Sequence, residues 1–155
     1  LEAGAQQQFR VMRVKPSDKQ AEEAYRLIVD ELPAPDAKPR KGIQLVMRYS
    51  LPLFVNVQNN AEPKLQWRVE KAANGKAVLV AENTGNAHAQ LSNITFQTTS
   101  AKDALMLANG LAGYVLPGNT WKRELEVSPA SLNQGRLNAT VNGMPIQTEV
   151  RFAAP

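Results

Sequence analysis

Short runs of alternating apolar and polar residues, separated by turn residues, fill the sequence after residue 57. In the first run Leu65, Trp67 and Val69 alternate with polar neighbours, which is the period of a half-buried β-strand. Asn74-Gly75 comes next, followed by a second apolar run. An Asn-Gly pair between two such runs is a strong hairpin signal, because a type I′ turn needs positive φ at both central residues. The pattern therefore predicts antiparallel β-structure.

Further strand candidates continue to the end of the chain. They are His88–Phe96, Gly113–Leu116, Thr120–Val127, Arg136–Val141 and Ile146–Phe152. A second Asn-Gly pair, at positions 142 and 143, separates the last two. Several short strands at this spacing are typical of an antiparallel β-sandwich of about 100 residues. We predict that this sandwich covers residues 58–155.

The first 57 residues hold three more strand candidates, which are too few to close a sandwich. They are Gln7–Val14, Tyr25–Leu32 and Ile43–Val57, and the capping-box spacing of Ser17 and Gln20 predicts a short helical turn between the first two. Three strands leave one apolar face without a partner layer. Either further strands are missing from this sequence, or another chain supplies the missing layer.

The composition excludes several kinds of site and partner. The sequence has no cysteine, which excludes disulfides, thiolate metal sites and cysteine nucleophiles. The net charge of +4 is spread evenly, without the basic tail or block that is typical of nucleic-acid binding. No stretch approaches the ~18–20 apolar residues of a membrane span. We therefore expect neither nucleic-acid binding nor insertion into a membrane.

Candidate catalytic residues are few. His88 is the only histidine, and without cysteine or a second histidine it cannot form a typical zinc site, so we assign it no role. The adjacent pairs Glu22-Glu23 and Asp30-Glu31 would point to opposite faces of a strand, whereas glycosidases need two carboxylates that face each other across a bond. No nucleophile elbow, Walker loop or zinc-protease motif is present. We expect a binding protein without enzymatic activity, metal or cofactor.

Several separated motifs resemble those of one known family. LEAGAQQQFRV, YRLIVDELP and GIQLVMRYSLPLFV are similar, in order and spacing, to the second half of the N-terminal domain of periplasmic pilus-assembly chaperones. LVAENTGNAHAQLSNI and GYVLPGNTW resemble strands and a loop of the second domain of these proteins, and the RYSLPLFV form is most similar to the branch found with spore-coat-like and archaic pili. The resemblance implies two immunoglobulin-like β-sandwiches: an incomplete N-terminal domain over residues 1–57, lacking its first strands, and a complete C-terminal domain over residues 58–155.

The resemblance also implies a function. In chaperones of the chaperone–usher pathway, the last strand of the first domain completes a pilus subunit that lacks its own final strand. The matching strand here is Gly42–Phe54, in which Ile43, Leu45 and Met47 share one face and fall at the donor positions. Such a chaperone holds the subunit in the periplasm and delivers it to an outer-membrane usher, without ATP or metal.

The resemblance further implies an anchor for the C-terminal carboxylate of the subunit. The family uses two basic residues between the domains, one of them on a strand that this sequence lacks. The other position is Pro52, which cannot bind a carboxylate. Arg48 is the nearest basic residue on the same face, and its planar guanidinium suits a carboxylate, so it is the candidate anchor. Val46 and Phe54 also lie on this face, and we expect both to pack inside the chaperone's own domain.

Two other functions stay open at this point. One is a structural or adhesive immunoglobulin-like module without chaperone activity. The other is a carbohydrate-binding sandwich or small hydrolase, which is disfavoured because only 6% of the residues are aromatic. In any of these cases an incomplete first domain exposes an edge strand and a bare apolar face, which favours a strand-swapped homodimer.

Overall fold

The computed structural model describes residues 4–15, 18, 20–32, 45–56, 58–99, 102–126 and 134–152. All regular secondary structure in this part of the chain is β, so the predicted all-β class is confirmed. The strands are β1 (Glu23–Asp30), β2 (Arg48–Val55), β3 (Leu65–Lys71), β4 (Ala77–Asn83), β5 (Ala89–Thr98), β6 (Leu105–Val115), β7 (Thr120–Leu125), β8 (Gln134–Val141) and β9 (Met144–Arg151).

β3 to β9 form two sheets that pack face to face. One sheet has the order β3-β4-β7 and the other β6-β5-β8-β9, as in an immunoglobulin-like sandwich of seven strands. The inward side chains are almost completely buried, which removes apolar surface from water and holds the two sheets together. The largest of them are Phe96, Leu79, Leu91, Ile94, Leu125 and Leu137. The sandwich predicted for the second part of the chain is confirmed.

β1 and β2 form a separate antiparallel ribbon of two strands. β2 begins at Arg48, later than the predicted strand start at Ile43, which lies outside the described residues. The strand predicted over Gln7–Val14 is wrong, since these residues have no strand pairing. An alternating pattern forms a strand only where a neighbouring strand accepts its hydrogen bonds, and the described residues offer this segment none. The predicted helical turn between Ser17 and β1 is wrong for the described residues, since Gln20 and Ala21 form a bend and β1 begins at Glu23; Ser17 and Lys19 lie outside the described residues.

The two Asn-Gly pairs form hairpins with different turns. Asn142 and Gly143 have φ of 49° and 81°, as a type I′ turn requires. At the other pair only Gly75 has positive φ, and its N–H donates to the carbonyl of Ala72 at 2.9 Å. That geometry is a type I turn followed by a bulge at Gly75, so the hairpin is predicted correctly and its turn type is not.

A buried asparagine organises the end of the sandwich that is nearest to the ribbon. The side chain of Asn83 is fully buried, and its Oδ1 accepts hydrogen bonds from the N–H groups of Lys64 and Gly85, both at 3.0 Å. Its Nδ2 donates to the carbonyls of Ala87 at 2.7 Å and Val115 at 2.9 Å. Both donors and both acceptor positions of the amide are thus used, which fixes three chain segments against one another.

Replacing Asn83 by Ala tests this arrangement. The change removes four hydrogen bonds made by a fully buried side chain, so we expect the free energy of unfolding to fall by roughly 3 kcal/mol. Urea unfolding followed by tryptophan fluorescence measures the loss. Asn109→Ala, at an exposed asparagine of β6, is the matched control and should change stability little. Equal stability of the two variants would contradict this role of Asn83.

Candidate functional site

One face of the β1–β2 ribbon is apolar over three consecutive cross-strand pairs, after the Glu23–Val55 pair at its start. The register places Tyr25 opposite Leu53 and Leu27 opposite Leu51. Directly opposed residues of an antiparallel pair share a face, so these side chains form one surface. We call it the apolar face; its residues are Tyr25, Leu27, Val29, Tyr49, Leu51 and Leu53. Tyr25 is 49% exposed and Leu51 is 48% exposed, whereas the equivalent residues of the sandwich are buried.

The predicted donor residues lie just before β2. Leu45 is 84% exposed and Met47 is 54% exposed. The hydroxyl of Tyr49 donates to the sulfur of Met47 at 3.3 Å, so Met47 continues the apolar face. The backbone of Met47 pairs with Glu31, accepting from its N–H at 2.8 Å and donating to its carboxylate at 3.0 Å. The structure thus brings Leu45 and Met47 to the exposed end of the ribbon, while Ile43 lies outside the described residues.

Arg48, the candidate carboxylate anchor, lies on the face of the ribbon opposite to the apolar face. It already has an acidic partner on that same face. Its guanidinium makes two hydrogen bonds to the carboxylate of Asp30 across the strands, the Nη2 bond at 2.9 Å. The hydrogen bond to Asp30 raises the pKa of Arg48 above its ordinary value. The pair is solvent-exposed, and such pairs contribute little to stability, so the guanidinium can change partners at small cost.

Arg26 is a second basic residue on this face. It lies directly opposite Pro52 in the ribbon register, the position at which the chaperone resemblance implied a basic residue. It has no ion-pair partner among the described residues. The neighbouring strand therefore brings a guanidinium next to the proline, which sequence spacing could not reveal because the contact depends on strand register.

The ribbon contacts the sandwich through Phe54 and through Glu22 and His88, two residues to which the sequence analysis assigned no role. The ring of Phe54 stacks on the imidazole of His88, with centroids 3.7 Å apart and planes inclined by 14°. His88 Nδ1 lies 2.7 Å from the carboxylate of Glu22, whose side chain is only 1% exposed. The expectation that Val46 and Phe54 pack inside the domain of their own strand is wrong: Val46 is 54% exposed, and the ring partners of Phe54 belong to the sandwich. No local pattern could have shown this, since Glu22 and His88 are 66 residues apart.

A second polar group surrounds the start of β1. The carboxylate of Glu23 pairs with Arg13 at 2.9 Å and accepts a hydrogen bond from the Tyr25 hydroxyl at 2.8 Å. Beside it Gln58 donates to Gln20 at 2.8 Å. The adjacent carboxylates of Glu22 and Glu23 thus have different partners and do not face one another. In the described ranges no three acidic, histidine or cysteine residues are grouped as metal ligands.

The described part of the chain contains no helix that could span a membrane.

Comparison with known proteins identifies relatives over most of the chain. Residues 1–59 match the family described as pili and flagellar-assembly chaperone, PapD N-terminal domain. No curated protein matches. The chain also resembles a chain of the CsuC-CsuE chaperone-tip adhesion subunit pre-assembly complex, from the archaic chaperone-usher Csu pili of Acinetobacter baumannii, with a TM-score of 0.56 and 27% identity. The match covers 92% of this chain and 65% of the other, so this chain spans less than two thirds of that relative.

The Tyr25–Glu23 hydrogen bond predicts a measurable titration. The bond to the Glu23 carboxylate, more than any other contact, raises the pKa of Tyr25 above its usual value. Glu23→Gln removes the negative charge, and we expect it to lower the pKa of Tyr25. NMR titration of tyrosine-labelled protein measures this, with Glu149→Gln on β9 as a control that leaves Tyr25 unchanged. An unchanged Tyr25 titration in Glu23→Gln would contradict the contact.

Proposed function

We propose that this chain, which is a relative of the pilus-assembly chaperones, captures incomplete pilus subunits by strand addition. The family predicted from the sequence motifs is confirmed, and it is a family of chaperones rather than of enzymes. The observation that carries the proposal is the ribbon. β2 pairs with β1 on one edge and with no other described strand, and an exposed apolar segment leads into it.

The mechanism follows from the chemistry of this free edge. An unpaired strand edge presents N–H and C=O groups to water, and a partner with a missing strand presents the complementary groups. Pairing along residues 45–55 supplies the main-chain hydrogen bonds. The alternating side chains of Leu45 and Met47 then enter the apolar groove of the subunit, and burial of such a side chain contributes about 1.5–3 kcal/mol. We extend the donor set to Ile43 from the same alternation.

The partner and the compartment complete the proposal. The related structure holds a chaperone together with a tip adhesion subunit, which supports a pilus subunit as the partner of this chain as well. Chaperones of this pathway are periplasmic in general, and we place this chain in the periplasm. Delivery to an outer-membrane usher would complete its cycle. Strand addition requires neither catalysis nor a cofactor, so we propose no enzymatic activity.

A homodimer is a second state that the ribbon favours. The apolar face and the free edge of β2 are open to another copy of this chain as well as to a subunit. We propose that strand-swapped dimers form when no subunit is present, and that the subunit displaces the second copy. A structural or adhesive module would have no need of the exposed donor segment, so we favour the chaperone.

Charge substitutions in the donor segment test strand addition. Leu45→Asp and Met47→Asp place a carboxylate in an apolar groove, so each should weaken capture of a purified pilus subunit at least about tenfold, equivalent to 1.4 kcal/mol or more. Val46→Asp is the matched control: the residue is 54% exposed but lies on the opposite face, so capture should persist. Affinity is measured by titration, with circular dichroism to verify folding. Full capture by both donor variants would refute the donor assignment.

The proposed anchor predicts opposite effects of two neighbouring changes. Arg48→Gln removes the guanidinium and should weaken capture about fivefold. Asp30→Asn frees Arg48 from its present partner, so capture should be as strong or stronger. The same titrations measure both variants. Normal capture by Arg48→Gln would by itself exclude this anchor, and Arg26→Gln then tests the second guanidinium.

A further inference from the structure

Three side chains lock the ribbon to the sandwich. We propose that Glu22, His88 and Phe54, named here the junction latch, fix the direction in which β2 leaves the sandwich, with His88 as the positioning residue. The latch does not touch the donor segment, yet it determines how that segment is presented to a partner. This inference rests on the proposed chaperone function, and it names the residues that give the donor strand its orientation.

The carboxylate of Glu22 holds His88 in one orientation. Its Oε1 accepts from the backbone N–H of His88 at 3.1 Å and lies 2.7 Å from Nδ1 of the ring. Because a carboxylate only accepts hydrogen bonds, Nδ1 carries the proton, and the second bond fixes the plane of the imidazole. The side chain of Glu22 is 1% exposed, so water competes little for these bonds.

The face of the fixed imidazole then receives Phe54 from the ribbon. The two rings stack with centroids 3.7 Å apart, and the ring of Tyr114 lies 5.3 Å from Phe54 on the sandwich side. The hydroxyl of Tyr114 accepts a hydrogen bond from Gln90 at 3.0 Å, so this ring is held as well. Stacked and tilted aromatic pairs at these distances prefer particular geometries, which makes the contact directional.

The base of the latch is itself rigid. The carbonyl of His88 accepts from Asn142 Nδ2 at 3.2 Å, and Asn142 Oδ1 accepts from the N–H of Gln90 at 2.7 Å. Asn142 belongs to the type I′ turn between β8 and β9, which holds its side chain in place. On the ribbon side the N–H of Glu22 donates to the carbonyl of Asn86 at 2.8 Å. The latch therefore connects the ribbon to two separate parts of the sandwich.

The position of the latch lets it determine where the donor segment lies. β1 begins one residue after Glu22 and β2 ends one residue after Phe54, so each strand has one end at the latch. In the described residues no strand of the ribbon pairs with a strand of the sandwich. Leu45 lies nine residues before Phe54, which is about 30 Å at ~3.3 Å per residue. A change of ~10° at the latch therefore moves the donor segment by ~5 Å over that length.

Two substitutions of His88 separate the two contacts of the ring. His88→Phe keeps an aromatic ring against Phe54 but loses the bond to Glu22, and His88→Asn keeps a donor near the position of Nδ1 but loses the stack. The chain has no cysteine, so Ser50→Cys on β2 and Asn109→Cys on β6 accept spin labels uniquely. Pulsed electron paramagnetic resonance then measures the distance distribution between ribbon and sandwich. Phe54→Leu, which alters the ribbon side alone, repeats the test if either His88 variant fails to fold.

We expect one narrow distance distribution for the parent chain and at least a twofold broader one for His88→Phe and His88→Asn. Subunit affinity should fall about tenfold while the urea midpoint of the sandwich stays the same. Asn60→Ala, an exposed residue outside the latch, should change neither the distribution nor the affinity. If the distance distribution of the folded latch variants is as narrow as that of the parent chain, the latch is overturned, whether or not these variants capture the subunit. A parent chain that captures no subunit would instead contradict the proposed function, and the width of the distance distribution would still test whether the latch orients the ribbon.

Discussion

The proposed strand addition depends on the free hydrogen-bonding edge of β2. A strand with one paired and one unpaired edge, beside an apolar face, is stable only if something else covers it. The sandwich cannot do so, because its own sheets are already packed against each other around a closed core. In the proposed function this leaves the ribbon available to a partner, which would pair beside the exposed Leu45 and Met47.

The sandwich contributes a rigid support for this available edge. Its core is closed by complementary apolar faces, and its end near the ribbon is fixed by the four hydrogen bonds of Asn83. His88 lies at that end, just before β5, and connects it to the ribbon through Phe54 and Glu22. The two parts of the chain thus differ physically: the sandwich has a buried apolar core, whereas the ribbon has an exposed apolar face.

The sequence predicts those features that depend on local pattern. Alternation identifies β3, the apolar run after Asn74-Gly75 identifies its partner β4, and the Asn142-Gly143 pair identifies the last hairpin, because strand period and turn φ are properties of neighbouring residues. The segment Gln7–Val14 shows the limit: alternation indicates which residues can face a core, but not whether a second strand is present. The pairing of Arg48 with Asp30 and the stacking of His88 on Phe54 depend on register and on distant contacts, which single-sequence patterns do not encode.

Hydrogen exchange of the chain mixed with a purified pilus subunit is the most direct measurement of strand addition. The account predicts that the amides of residues 45–55, on the free edge of β2, gain strong protection, while those of β3 to β9 keep the protection they have in the free chain. Protection confined to the sandwich, with the β2 edge exchanging as fast as before, would contradict the central claim.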